Sequence, residues 1–150
     1  QYVSAKHPSM TLFEETYMCV TWTGNPHIQG QLSFDDYLAA GHVVADYSGA
    51  RQIPAFDGWF LERFGVKRRI EVTAPTLASL PSLVIGTARI ATVHKRLAQR
   101  ALQYGLPIHV WEPPLEIPVM RQTLQWHRHR DKDLALQWLR ERAIEVAALI

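Results

Sequence analysis

"GTARIATVHKRL", residues 86–97, changes character halfway. Small and hydroxyl residues open it, and Ile90-Ala91-Thr92-Val93 follows as a short run with strand chemistry. His94, Lys95 and Arg96 then begin a helical pattern that reaches Tyr104, where Gly105 closes it. A strand that hands over directly to a helix is half of a βαβ unit. The fold class therefore depends on whether the neighbouring sequence repeats the device.

It does so upstream. His42 to Tyr47 reads as a strand ending at Ser48-Gly49, and Pro54 to Phe64 as a helix, with Phe56, Trp59, Phe60 and Phe64 on one face and Gly65 as its C-terminal stop. Arg69 to Thr73 alternates as a strand, and Thr76 to Ile85 is an apolar helix that Pro81 bends or breaks. Tyr17 to Trp22 is a further strand before the turn Gly24-Asn25-Pro26, and Ser33 caps a short helix that stops at Gly41. Strands and helices alternating at this spacing predict an α/β fold with a parallel, partly mixed sheet. After Gly105 the rhythm changes. Ile108 to Trp111 and Val119 to Trp126 read as strands separated by Pro113-Pro114 and Pro118, a connection between lobes. Asp131 or Asp133 caps a last helix with the stripe Ala135, Leu139, Ala143, Val146 and Ile150, widened by Leu136 and Trp138.

Composition narrows the function. With 150 residues and 47% hydrophobic content the chain suits one globular domain or part of one, and 16 basic against 14 acidic residues leave a net charge of only +2. The basic clusters Lys67-Arg68-Arg69, Lys95-Arg96 and His127 to Arg130 are short and read as solvated faces, so direct DNA binding is not expected. Cys19 stands alone in an apolar run, which favours a reducing compartment and a buried, inert thiol. No signal peptide and no membrane-length apolar stretch is visible, and a chain opening on Gln1 rather than Met reads as a piece of something larger.

Motifs for chemistry are sparse. His127 and His129 could begin a zinc site, but no third ligand cluster accompanies them. No nucleophile elbow, metalloprotease helix, P-loop or dinucleotide fingerprint occurs, so neither an enzyme nor a cofactor is expected. The three strand-to-helix junctions carry more. Ligands of open parallel sheets bind beyond the carboxyl ends of the strands, where helix N-termini offer free N–H groups. Here those junctions are Tyr47-Ser48-Gly49, Thr73 to Thr76 and Val93-His94-Lys95, and ordinary helix capping is the competing reading of each.

Three blocks, "GHVVADYSGARQIPAFDGWFLERFGVKRRIEV" (41–72), "GTARIATVHKRLA" (86–98) and "LQWHRHRDKDLALQWLRE" (124–141), resemble the effector-binding domain of LysR-type transcriptional regulators. The branch they are most similar to holds the nodulation and aromatic-catabolism regulators. The resemblance runs from about Thr11 to Val146. It implies a two-lobed, periplasmic-binding-protein-like (type 2) fold with residues 1–115 as lobe two and its crossover, the lobe itself spanning 16 to about 112. Residues 116–150 would return to lobe one as a strand and the C-terminal helix. It also implies a small aromatic or flavonoid-like effector held between lobes, a homo-oligomer, DNA bound only through an N-terminal winged helix that has no counterpart here, cytoplasmic location and no membrane. Carried over residue by residue, the effector positions are His42, Tyr47, Ser48, Gly49, Thr73, Pro75, Thr76, Val93 and His94, although the family often has proline where His94 stands.

Two other functions share parts of this pattern: a transport solute-binding protein, which has the same fold, and a metal-dependent enzyme built on His127 and His129. The resemblance carries a physical consequence as well. The first half of lobe one has no counterpart, so the apolar stripe of the last helix should lie bare and drive self-association, domain swapping or disorder across 116–150.

Overall fold

The computed structural model describes residues 3–46 and 55–149, which form two compact units, one of residues 17–117 and one of residues 1–16 with 118–150. In the first unit a five-stranded mixed sheet is built from β2 (Tyr17–Trp22), β3 (Gly41–Ala45), β4 (Arg69–Ala74), β5 (Ile90–His94) and β6 (Ile108–Trp111), in the order β4-β3-β5-β2-β6. β3 runs parallel to both β4 and β5, whereas β2 is antiparallel to β5 and β6. The expected parallel, partly mixed sheet is therefore present, with β2 inserted between two later strands.

Local chemistry explains the helices. Ser33 and Asp36 form a reciprocal capping box at the start of α1 (Phe34–Ala39). α2 (Ala55–Phe64) ends at Gly65, whose φ of 71° is the left-handed conformation expected of a C-terminal glycine. α4 (Lys95–Gln103) closes with a Schellman pattern: Leu106 N–H donates to Ala101 O, and Gly105 N–H, at φ 73°, to Leu102 O. The single helix expected over 76–85 is two short pieces instead. A 3-10 turn over Leu77–Ser79 precedes α3 (Leu80–Leu83), and Pro81 falls in the first turn, where its missing N–H leaves no bond unmade. Two apolar clusters flank the sheet. Val20, Val43, Leu80, Val84, Val93 and Ala98 lie in one, while Cys19, Tyr37, Phe60 and Ile90 lie in the other.

The second unit corrects the expected boundary. β1 (Ser9–Glu15), which the sequence reading passed over, pairs antiparallel with β7 (Met120–Gln125), so the opening residues join the returning segment rather than lobe two. α5 (Leu134–Ala147) packs on β1, and Asp133 caps it by accepting from the Ala135 and Leu136 amides. Its packed face matches the expected stripe only at Leu136 and Ala143. Ala135, Leu139 and Val146 are exposed, Ile150 lies outside the described residues, and the inward row is Leu136, Arg140, Ala143 and Ala147. Arg140 sets that rotation: its guanidinium lies 4.4 Å from the Trp126 ring centre and donates to Asp131 O at 2.9 Å. Leu134, Trp138, Leu139 and Leu149 are left 53–87% exposed. Concentration-dependent self-association through this face is the expected result in sedimentation velocity, abolished in a Trp138→Ser/Leu139→Ser variant. A monomer at all concentrations with α5 ordered would contradict it.

Candidate functional site

Because β3, β4 and β5 are parallel, their carboxyl ends share one edge of the sheet. Ala45 and Ala74 are register partners there, and the chain beyond is tied across by Asp46 N–H donating to Ala74 O at 3.0 Å. Thr73, Pro75 and Thr76 are exposed at this edge. Thr76 precedes the 3-10 turn without capping it. Its carbonyl accepts from the Ser79 hydroxyl at 2.8 Å, and the two hydroxyls lie 3.3 Å apart. On β5, His94 is the N-cap residue of α4, yet its ring caps nothing. It stands edge-on to Tyr17, 5.3 Å between ring centres, because antiparallel pairing sets Tyr17 opposite His94. Phe56, in the first turn of α2, lies 5.7 Å from Tyr17. Tyr17, Phe56 and His94, all half-buried, thus form an aromatic cluster at the carboxyl edge.

Of the residues expected at the site, Thr73, Pro75, Thr76 and His94 gather at this edge, while Tyr47, Ser48 and Gly49 lie outside the described residues. Two need correction. Val93 is fully buried with its side chain in the core, one residue short of the edge. His42 is fully buried near the amino end of β3, opposite the expected surface. Its Nε2 lies 2.9 Å from Tyr37 O and its Nδ1 3.5 Å from Arg68 Nη1, so a neutral ring with its proton on Nε2 satisfies both neighbours. Burial, reinforced by the Arg68 charge, pushes its pKa down to about 3. Tyr17 and Phe56 were missed. Strand chemistry placed Tyr17 on β2, but nothing in the sequence says that β2 lies beside β5.

Behind the edge is a buried polar network centred on Arg68, which departs from the solvated-face reading of Lys67-Arg68-Arg69, whereas Lys67 and Arg69 are exposed as expected. Arg68 has a side chain only 3% exposed. Its Nε donates to Asp57 Oδ1 at 2.8 Å, its Nη2 lies 2.7 Å from the same oxygen, and its Nη1 donates to the Tyr37 hydroxyl at 3.1 Å. Its guanidinium carbon lies 4.5 Å from the Phe56 ring centre. α1, α2 and β3 thus meet on one cation, and Tyr37 extends the network to β5 through a 2.9 Å hydrogen bond with Thr92. Asp57 Oδ2 is buried without a hydrogen-bond partner among the described residues.

Other candidates resolve differently. Cys19 is buried, and burial pushes its thiol up to about 12, which leaves it protonated. His127 and His129 sit on an exposed 3-10 turn after β7, and His7 stacks beside His127 with ring centres 4.6 Å apart. Among the described residues no group of three or more His, Cys, Asp or Glu could hold a metal ion. No helix among them is long and apolar enough to cross a membrane.

Comparison with known proteins joins this geometry to a family. No family profile matches the chain. It is 36% identical over 147 residues, 98% of its length, to nodulation protein D 1 of Bradyrhizobium diazoefficiens. The regulatory domain of MexT, a transcriptional activator of Pseudomonas aeruginosa, superposes with a TM-score of 0.79 at 28% identity, covering all of this chain and 69% of that one. Over its whole length the chain is similar to the regulatory domains of LysR-family transcriptional regulators. HinK, a LysR family transcriptional regulator from Pseudomonas aeruginosa, shares the fold with a TM-score of 0.73 at 11% identity. The fold is that of LysR regulatory domains, type 2 periplasmic-binding-protein-like, as the sequence reading expected. The chain spans about half the length of the nodulation proteins it matches, 46% for the first. Its relatives and neighbours are regulators rather than enzymes.

Proposed function

We propose that this LysR regulatory-domain chain senses a small aromatic or flavonoid-like effector at the carboxyl edge of β3, β4 and β5. The observation that carries the reading is the half-buried aromatic cluster of Tyr17, Phe56 and His94 on the same edge as the exposed Thr73, Pro75 and Thr76. Ring faces and edges favour an aromatic guest, and hydroxyls beside them fix its orientation. Tyr47, Ser48 and Gly49, which follow β3 in the sequence, belong to the proposed contact set. Effector binding requires no chemistry; it biases the conformation of an oligomer whose DNA contacts are made by an N-terminal domain, in the cytoplasm.

A thermal-shift screen against aromatic acids and flavonoids tests the reading, because a ligand that binds only the native state raises Tm by mass action. We expect a shift in the complete regulatory domain, and a smaller or absent one in the 150-residue chain, with Tyr17→Ala and Thr76→Ala each weakening binding about tenfold. Failure of every aromatic compound to shift the complete domain would overturn the proposal. A shift that both variants retain would move the site elsewhere.

A further inference from the structure

The amino ends of the same strands present a different kind of surface. A cavity of about 800 Å³ opens there, a volume typical of small-molecule sites, and it lies wholly within the unit of residues 17–117. Glu71 is fixed at its wall: Oε1 accepts from Arg69 Nη1 at 2.9 Å and Oε2 from Arg89 Nε at 2.8 Å. Arg69 is tied further by its Nη2, which donates to Ala39 O at 2.8 Å. Gly41 leaves the room for this arrangement, since a Cβ at that position would lie 2.3 Å from the Glu71 carboxyl carbon. The wall is a fixed Arg–Glu–Arg group, not a set of wandering side chains.

Two features of that wall are unspent. Neither Nη of Arg89 has a partner among the described residues, so a planar pair of donors remains on a guanidinium whose Nε is already anchored. Asp36 also lines the cavity. The Ser33 amide and hydroxyl bond its Oδ2, hold its carboxyl below the usual range and leave Oδ1 open. Arg69 and Arg89 are balanced by Glu71 and Asp36, so the lining is neutral in sum with its charges set apart. A simple anion meets Asp36 and a simple cation meets Arg89, whereas a dipolar solute satisfies both.

We propose that this cavity is a second small-molecule site, separate from the effector edge, which takes a zwitterion of amino-acid size with its carboxylate on Arg89 and its ammonium toward Asp36. The test is an amide chemical-shift titration of the 150-residue chain with individual amino acids, with acetate and ethylammonium as single-charge controls. We expect at least one amino acid to move the Gly41, Gly86, Thr87 and Arg89 amides while those of Thr73, Thr76 and His94 stay still. Both controls should bind roughly tenfold more weakly or not at all. Arg89→Gln and Asp36→Asn should each weaken binding about tenfold, and Asp36→Asn keeps an acceptor for the Ser33 amide. Absence of shifts with every amino acid at about 10 mM overturns the proposal. Equal binding of acetate would make the cavity a plain anion site and overturn it too, as would retention of affinity in both variants. The wild-type titration decides the matter even if a variant fails to fold.

Discussion

Replacing Arg68 by alanine is expected to cost the fold about 3–5 kcal/mol, a large fraction of the roughly 5–15 kcal/mol typical of native domains. The physical reason is the stranded partner rather than the lost attraction. Asp57 is only 9% exposed and, among the described residues, already holds one oxygen without a hydrogen bond, so removing the cation leaves a buried carboxylate without its charge partner. Tyr37 loses a donor and Phe56 a cation over its face at the same time. Urea unfolding followed by tryptophan fluorescence measures the loss, and a change below about 1 kcal/mol would show that the pair is not buried in solution. The double variant Arg68→Met/Asp57→Leu separates strength from specificity. Buried ion pairs exchanged together for apolar residues often lose little stability, so near wild-type unfolding there would mean that the pair chooses the packing of α2 more than it strengthens it.

The second large effect is a dependence on pH. The native state keeps His42 neutral down to about 3, while an unfolded histidine takes up a proton near 6.5. Between those values the unfolded chain binds more protons than the native one, so stability is full above about pH 6.5 and declines as the pH falls. The decline amounts to about 1.4 kcal/mol per pH unit, roughly 2–3 kcal/mol by pH 4.5. Carboxylates titrate in the lower part of this range, so the measurement is a difference: unfolding free energies at pH 7 and 4.5 for the wild type and for His42→Gln. Glutamine can still donate to Tyr37 O but takes up no proton. The variant should start less stable and lose less on acidification. Parallel declines in the two proteins would place His42 in contact with water.

Both effects arise where sequence reading went astray, and for one reason. Arg68 stands between Lys67 and Arg69, and three successive cations look like a solvated surface. Only the meeting of α1, α2 and β3 around that position supplies Asp57, Tyr37 and His42 as partners, contributed from 11 to 31 residues away. His42 enters the expected site only through the resemblance; the direction of β3 puts it at the far end of the strand. Tyr17 and Phe56 were overlooked for the complementary reason, since their neighbourhood depends on β2 being inserted beside β5.

Local chemistry by itself determined most of the elements. Ser33, Asp133, Gly65, Gly105 and Pro81 set helix boundaries through hydrogen bonds and dihedral limits that act within a few residues, and the alternation of strand and helix between Tyr17 and Trp111 implied the α/β class. The three blocks carried the resemblance to LysR regulatory domains. Tertiary structure alone decided the strand order, the pairing of β1 with β7, the face that α5 turns inward, and the burial of Arg68 and His42. Those features depend on contacts between residues far apart in the chain, and charge and hydropathy read along the sequence carry no record of which distant partner will neutralise a given group.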